Sequence, residues 1–231
     1  VTVSGTTSPT LKIITDFCKY PRTWVSPTAE PGRLMLEVNT ASSGINLQRF
    51  KDTMLKDMPY EHLNEDAAQR GLPERNLPGM YAVFLTGMHL DQDLLTGGFV
   101  MSNPISVDTK PEDYFHALTL NIGMSISMCI EKMKTLQPLE HDYLIGCGGG
   151  FSSPVVGQTV ADLTGLKVRI FDNWREATVY GGYVLCCRAT GKPVPARRQI
   201  AEIEPKPSQA LERYYKNWKE MREHFKEFKL K

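Results

Sequence analysis

The sequence predicts an α/β chain, and three observations carry that expectation. Residues 1–40 are rich in β-branched residues broken by turn signals. Residues 111–134 hold an unbroken apolar stripe at helical spacing. Residues 142–191 then read strand, helix, strand, helix.

Each element can be justified in order. "VTVS" and "LKIIT" read as strands joined by the turn "GTTSP", and "RLMLEV" at 33–38 is a third. Their closeness in sequence predicts an antiparallel meander. Leu47, Phe50, Met54 and Leu55 recur at helical spacing in 44–70, and Pro59 divides that stretch into two helices. "GLPERNLPG" at 71–79 is a loop, and "MYAVFL" (80–85) and "GGFVM" (97–101) are short strands. Pro111 suits the first turn of the long helix, with Asp108 or Thr109 as its cap. "DYLIG" at 142–146 is a buried strand. The helix after it spans about 154–164, with Ser153 as N-cap, Pro154 in the first turn and Gly165 as its C-terminal stop. "LKVRIF" is the next strand, and Asn173 and Glu176 have capping-box spacing for a helix to Gly191. Residues 192–207 read as a proline-rich connector. The last helix, 208–229, carries Leu211, Tyr214, Tyr215, Trp218, Met221, Phe225 and Phe228 on one face, a stripe that marks a docking helix. No repeat or low-complexity tract divides the chain, so 1–231 is expected to be a single domain.

Composition excludes several classes. The 231 residues are 41% hydrophobic and 23% charged, the balance of a soluble globular protein. A net charge of +1 argues against a nucleic-acid partner, which would need a concentrated basic face. No apolar run approaches the length of a membrane span. Five scattered cysteines without a CxxC predict neither a disulfide framework nor a zinc site, and they suit a reducing, cytoplasmic setting. Val1 is not a methionine, and the chain opens directly on a strand. That predicts a fragment, a processed chain or a trimmed one.

The first candidate site is "IGCGGGFSSP" at 145–154. A strand leads in, a helix leads out, and the N–H groups of a helix start attract phosphate. A tight turn explains the same glycines equally well. A P-loop is excluded, because no lysine follows the glycines. A nicotinamide dinucleotide (NAD) fingerprint is met only in part. Gly146 and Gly148 fit, and Asp172 could serve as the ribose acid, but Phe151 stands where the third glycine should be.

Further candidates each have a plain structural alternative. "SGTTS" at 4–8 offers hydroxyls and N–H groups to a phosphate tail, or is a hairpin turn. Gly44 could approach a ligand or simply permit a turn. The two glycines of "EATVYGG" cost a helix about 1 kcal/mol each relative to alanine, which predicts tight packing against another element. His89, Asp91 and Asp93 in "HLDQD" could hold a metal, and an exposed acidic loop accounts for them as well. Cys186 and Cys187 read as helix core.

Taken together, the segments resemble the C-terminal half of the FGGY carbohydrate kinases. The run "DYLIGCGGGFSSPVVGQTVADLTGLKVRIFDNWREATVYGGYVLCCRATG" (142–191) carries the resemblance most strongly. It is similar to the family's glycine-rich loop, Ser-Pro, Gln–Ala–Asp helix, "TGL-V" and "EAT-x-x-G", in that order. "VSGTTS" resembles the strand ending in Gly-Thr-Ser. "GINLQRFKD" resembles the glycine–glutamine helix, with Arg49 in place of the usual tryptophan. "GGFVMSNPISVDTKPEDYFHALTLNIGMSISMCIEKM" resembles the segment that leads into the long helix. The likeness covers nearly the whole chain. One segment departs from it, where "FLTGMHLDQD" replaces the family's Asn-Gly-Glu-Arg stretch.

The resemblance implies an actin-like ATPase (ribonuclease H-like) domain, with a mixed sheet flanked by helices. It implies ATP and Mg2+ as cofactors and transfer of the γ-phosphate to a hydroxyl of a sugar or polyol. Gly5, Thr6 and Thr7 would lie near the β- and γ-phosphates. Gly148, Gly149, Gly150 and Ser153 would line the adenosine and α-phosphate site, and Gly44 would approach from the other side. The family's catalytic aspartate and most sugar contacts lie upstream of the position of Val1. No catalytic residue is therefore expected in this chain, which by itself should be inactive. A homodimer is compatible with this reading. The rival expectations are an actin-like regulatory or interaction module without phosphoryl transfer, and a nicotinamide dinucleotide-binding enzyme.

Overall fold

The computed structural model describes residues 1–40, 43–69, 79–84 and 94–228. Its frame is a seven-stranded mixed sheet of β1 (Thr2–Val3), β2 (Ser8–Ile14), β3 (Trp24–Pro27), β4 (Leu34–Thr40), β7 (Tyr143–Cys147), β8 (Lys167–Phe171) and β9 (Gln199–Ile203), in the order β3-β4-β2-β1-β7-β8-β9. β5 (Met80–Val83) and β6 (Gly98–Met101) form a separate antiparallel hairpin. The helices are α1 (Gly44–Met54), α2 (Tyr60–Gln69), α3 (Pro111–Leu136), α4 (Pro154–Thr164), α5 (Ala177–Ala189) and α6 (Gln209–Phe225).

The three strands expected near the N-terminus pair antiparallel in sequence order, β1 to β2 to β4. The short β3 was not expected. Four residues ending in Pro27 give a weak strand signal. They pair only with β4, at the sheet edge, where a proline is tolerated. β1 is parallel to β7, and β7 to β8, so these three strands point their C-terminal ends the same way.

α3 is the structural centre. Its stretch from Phe115 to Met133 is buried almost without interruption, as befits a helix apolar on every side. Ile122, Ile126 and Ile130 meet Leu144, Val160, Val168 and Ile170. Leu120 and Met124 meet Leu211, Tyr214 and Trp218 of α6. Cys129 and Met133 meet Ile14, Leu36 and Val38, and Phe115 meets Leu55 and Leu63. α6 closes over this core and the hairpin. The Trp218 indole N–H donates to the Ala82 carbonyl (2.9 Å) and to Asn121 Oδ1 (3.2 Å), and the Tyr214 hydroxyl donates to the Met80 carbonyl (2.5 Å).

Several local expectations need correction. The N-cap of α3 is Lys110, not Asp108 or Thr109. The Asp113 carboxylate accepts from the Lys110 N–H (2.7 Å) and so supplies the capping that a lysine cannot. The Asn173–Glu176 capping box does not form. Asn173 sits at φ 59° in a turn, and α5 starts after Glu176 and ends at Ala189. The proline-rich stretch 192–207 contains β9, which pairs antiparallel with β8. Across this pair Arg169 meets Glu202 (2.5 Å) and Lys167 meets Glu204 (2.8 Å). Phe228 lies beyond the end of α6 and is exposed. Among the described residues, Gly181 and Gly182 meet no packing partner: beyond the helix's own backbone and the chain neighbours, no atom lies within 4 Å of where a Cβ would stand on either. Gly165 ends α4 at φ 69°, as its position requires.

Candidate functional site

The parallel strands β1 and β7 end side by side, with Val3 paired to Cys147. In open α/β sheets, ligands bind beyond such carboxyl ends. Here β1 passes into the turn 4–7, and β7 passes into Gly148 and a short 3-10 turn, Gly149–Ser152, before α4. α1 starts beside both. The Ser43 N–H donates to the Thr6 carbonyl and the Gly44 N–H to the Gly5 carbonyl, each at 3.0 Å. From the other side the Gly150 N–H donates to the Ser4 carbonyl (2.7 Å). The turn 4–7 is thus held between the glycine loop and the start of α1.

These contacts explain most of the glycines. A Cβ on Gly44 would stand 2.2 Å from the Gly5 carbonyl oxygen. On Gly150 it would stand 1.9 Å from Ser4 Oγ, and on Gly148, at φ +89°, 2.5 Å from the Ser4 carbonyl oxygen. Gly44 and Gly148 let one backbone approach another, and Gly150 makes room for the Ser4 side chain. Gly149 differs, because among the described residues nothing beyond its chain neighbours lies within 4 Å of its missing Cβ. Below the loop, the Phe151 ring packs against Gly146 and joins the core with Ile170 and Val156. It fills the space that the third glycine of a dinucleotide fingerprint would leave for close helix–strand packing.

The loop, the turn and α1 border an open cleft of about 370 Å³. Of the expected site residues, Gly5, Thr6, Gly44, Gly149, Gly150 and Ser153 line it. Thr7 and Gly148 do not. The Thr7 carbonyl accepts from the Gly5 N–H (3.0 Å) and closes the turn, and the Gly148 N–H donates to the Trp174 carbonyl (2.8 Å). Ser153 holds the N-cap position of α4, but its hydroxyl makes no cap bond. It is buried and has no partner among the described residues. A buried hydroxyl left unsatisfied costs about 1–3 kcal/mol.

The remaining walls were not foreseen as site residues. Leu47, Phe115, Ile122 and Val156 are apolar, and Gln48, Tyr60, Asn64 and Thr119 add polar groups. In sequence, Phe115 and Ile122 belong to the core stripe of α3, and Tyr60 and Asn64 to an ordinary polar helix. Only the packing of α2 beside α1 and α3 turns them toward one space. Burial, and then the charge of Asp52, push the Tyr60 phenol above its usual pKa, which keeps it neutral.

Among its described lining residues the cleft has no carboxylate, histidine, lysine or arginine. The described lining puts N–H groups and hydroxyls at one end and apolar walls at the other. The described residues contain no group of three His, Cys, Asp or Glu able to hold a metal. "HLDQD" lies outside the described residues, and so does nearly all of the departure segment around it. Asp172, the candidate ribose acid, does not line the cleft.

The Gln–Ala–Asp helix has a structural use. Asp162 Oδ1 accepts from Gln158 Nε2 (2.7 Å) and from the Lys206 N–H (2.6 Å), and Gln158 Nε2 also donates to the Glu204 carbonyl (2.9 Å). The motif ties α4 to the segment after β9. Among the described residues no helix is long and apolar enough to cross a membrane.

Comparison with known proteins follows the same lines. The chain is 28% identical over 228 residues to YoaC of Bacillus subtilis (strain 168), which carries the provisional name of a sugar kinase. That match covers 97% of this chain and 46% of YoaC. The fold is similar to xylulose kinase from Rhodospirillum rubrum (TM-score 0.75, 15% identity, 96% of this chain and 46% of that one). It is also similar to Plasmodium falciparum glycerol kinase with ADP (TM-score 0.73, 15% identity, 99% and 47%). The chain thus spans about half the length of the relatives it matches. The fold is the actin-like one of those kinases, a mixed sheet flanked by helices. Residues 67–190, just over half of the chain, match the C-terminal domain of the FGGY carbohydrate kinases. The chain belongs to the FGGY family of carbohydrate kinases, as its C-terminal domain.

Proposed function

We propose that this chain is the nucleotide-binding half of a kinase that transfers the γ-phosphate of ATP to a hydroxyl of a sugar or polyol. One observation carries the reading. The cleft at the ends of β1 and β7 joins an open glycine, Gly149, to a buried unpartnered hydroxyl, Ser153, beside the first turn of α4. N–H groups and hydroxyls at a helix start suit phosphates, and the apolar walls suit a nucleobase. Gly5, Thr6 and Gly44 complete the rim, and Thr7 and Gly148 act by shaping it.

The division of labour follows the resemblance to the FGGY kinases. Positioning and charge stabilisation are most of the work in phosphoryl transfer. The base that takes the sugar hydroxyl's proton belongs to the other half of the protein, as do most sugar contacts. Magnesium usually binds through one or two carboxylates together with substrate phosphates. The described cleft residues offer no carboxylate, so they do not fit a magnesium site by themselves. The ion's protein ligands are then expected outside this set.

Calorimetry on the 231-residue chain tests the reading. ATP or ADP should bind, and NAD should not. Gly149→Asp should weaken nucleotide binding at least about tenfold, or 1.4 kcal/mol, by placing a carboxylate where phosphates would lie. Unchanged affinity in that variant would remove the loop from the site, and preference for NAD would remove the kinase reading. The chain alone should release no ADP when a sugar is added. Sugar-dependent release would mean that the base lies within these 231 residues.

A further inference from the structure

The turn after β8 stands outside the cleft, yet it holds the glycine loop. β8 is the parallel neighbour of β7, and the chain leaving β8 comes back over the end of β7. There the Trp174 carbonyl accepts from the Gly148 N–H (2.8 Å). On the loop's other side the Ser4 carbonyl accepts from the Gly150 N–H (2.7 Å). The loop is thus gripped between Ser4 and Trp174. Gly148 is also the base of the 3-10 turn, because its carbonyl accepts from the Phe151 N–H (3.1 Å). Displacing Gly148 would carry with it Gly149 and Gly150, which line the cleft. Ser153 would follow, since its N–H donates to the Gly150 carbonyl (3.2 Å).

The Trp174 carbonyl is itself aimed. The residue before it, Asn173, has φ 59°, and the Glu176 N–H donates to the Asn173 carbonyl (3.1 Å), which closes the turn. Asparagine tolerates this left-handed backbone, whereas a β-branched residue is strained in it. The turn is anchored on both flanks. The Asp172 N–H donates to the Arg198 carbonyl (2.9 Å), and the partly buried Trp174 ring packs against the core cluster that contains Phe151. Asp172, Asn173 and Trp174 do not line the cleft themselves.

We propose that Asn173 is the positioning residue of the glycine loop. By holding a left-handed turn it aims the Trp174 carbonyl at Gly148, and so sets where Gly149 and the Ser153 hydroxyl meet a nucleotide's phosphates. The ligand in this statement rests on the cleft reading above; the anchoring of the loop does not.

Two measurements on the full natural protein that contains this sequence test it. The first needs no ligand: amide hydrogen exchange of the peptide 147–153. Asn173→Val should speed exchange there about tenfold while leaving α3 unchanged, the mark of a local opening. Asn173→Gly takes the same backbone without strain and should exchange like the parent protein. The second is calorimetry with ADP, well below the unfolding midpoint of each variant. Asn173→Val should weaken binding about tenfold, and Asn173→Gly should keep the parent affinity. A merely structural role would lower the thermal midpoint of Asn173→Val and leave its loop exchange and ADP affinity unchanged, and that result would overturn the proposal. Equal losses in the two variants would overturn it as well, because the asparagine side chain and not the backbone would then matter. If the parent protein binds no ADP, the cleft reading falls by itself, and the exchange comparison alone decides whether Asn173 holds the loop.

Discussion

α3 and α5 are both apolar helices, and their surroundings are opposite. α3 is covered on all sides by the sheet, the hairpin, α4 and α6. α5 is covered along one narrow side. Apolar composition does not by itself decide burial. What decides is whether the rest of the chain supplies a facing element. A core helix finds its partners within the domain. A helix of the same composition left bare marks a place where the domain's own packing stops.

The largest difference should appear on truncation. Ile126→Ala in α3, at a fully buried position, should lower stability by about 2–5 kcal/mol. Leu185→Ala in α5 should change it by less than about 0.5 kcal/mol. Urea unfolding of both variants measures the contrast, and comparable losses would mean that α5 is packed after all.

One substitution should then change sign between the two helices. A Cβ on Gly123 of α3 would stand 2.8 Å from Thr159 Cβ of α4, a branched side chain with little room to move. Gly123→Ala should therefore destabilise by about 1–3 kcal/mol. Gly182→Ala meets only open space among the described residues and should stabilise the chain by up to about 1 kcal/mol. Thermal midpoints moving the same way would break the comparison.

The smallest effect concerns pH. Burial raises the Asp162 pKa, partly offset by the Lys206 N–H and the Gln158 amide. A carboxyl raised in the folded state favours folding fully below its unfolded pKa, about 4. That contribution is lost as pH rises through the folded value. Stability should fall slightly over this window and then level off, and Asp162→Asn should remove the step in pH-dependent urea titrations.

The readable parts of the sequence were those whose causes are local. Pro154 opens α4 and Gly165 closes it, and the α3 stripe names its core face directly. The glycine loop was visible as a loop. Why three of its associated glycines are glycines was not, because Ser4 and Gly5 are what approach Gly44, Gly148 and Gly150, from distant parts of the chain. β9 was hidden among prolines, since its strand character comes from pairing with β8 and not from its own residues. Tyr60, Asn64 and Phe115 carry no mark of a site until α2 is laid beside α3. The bareness of α5 was equally unreadable, because its composition is that of a core helix.

The clamp on the turn 4–7 also bears on how the protein folds. Its hydrogen bonds join Ser4 to Gly150, Gly5 to Gly44 and Thr6 to Ser43, so the cleft closes only after β1 has been carried across a long stretch of chain to β7. Contacts of that separation carry a large loop-closure cost and form slowly. Ligand capture during refolding would thus mark the arrival of β1.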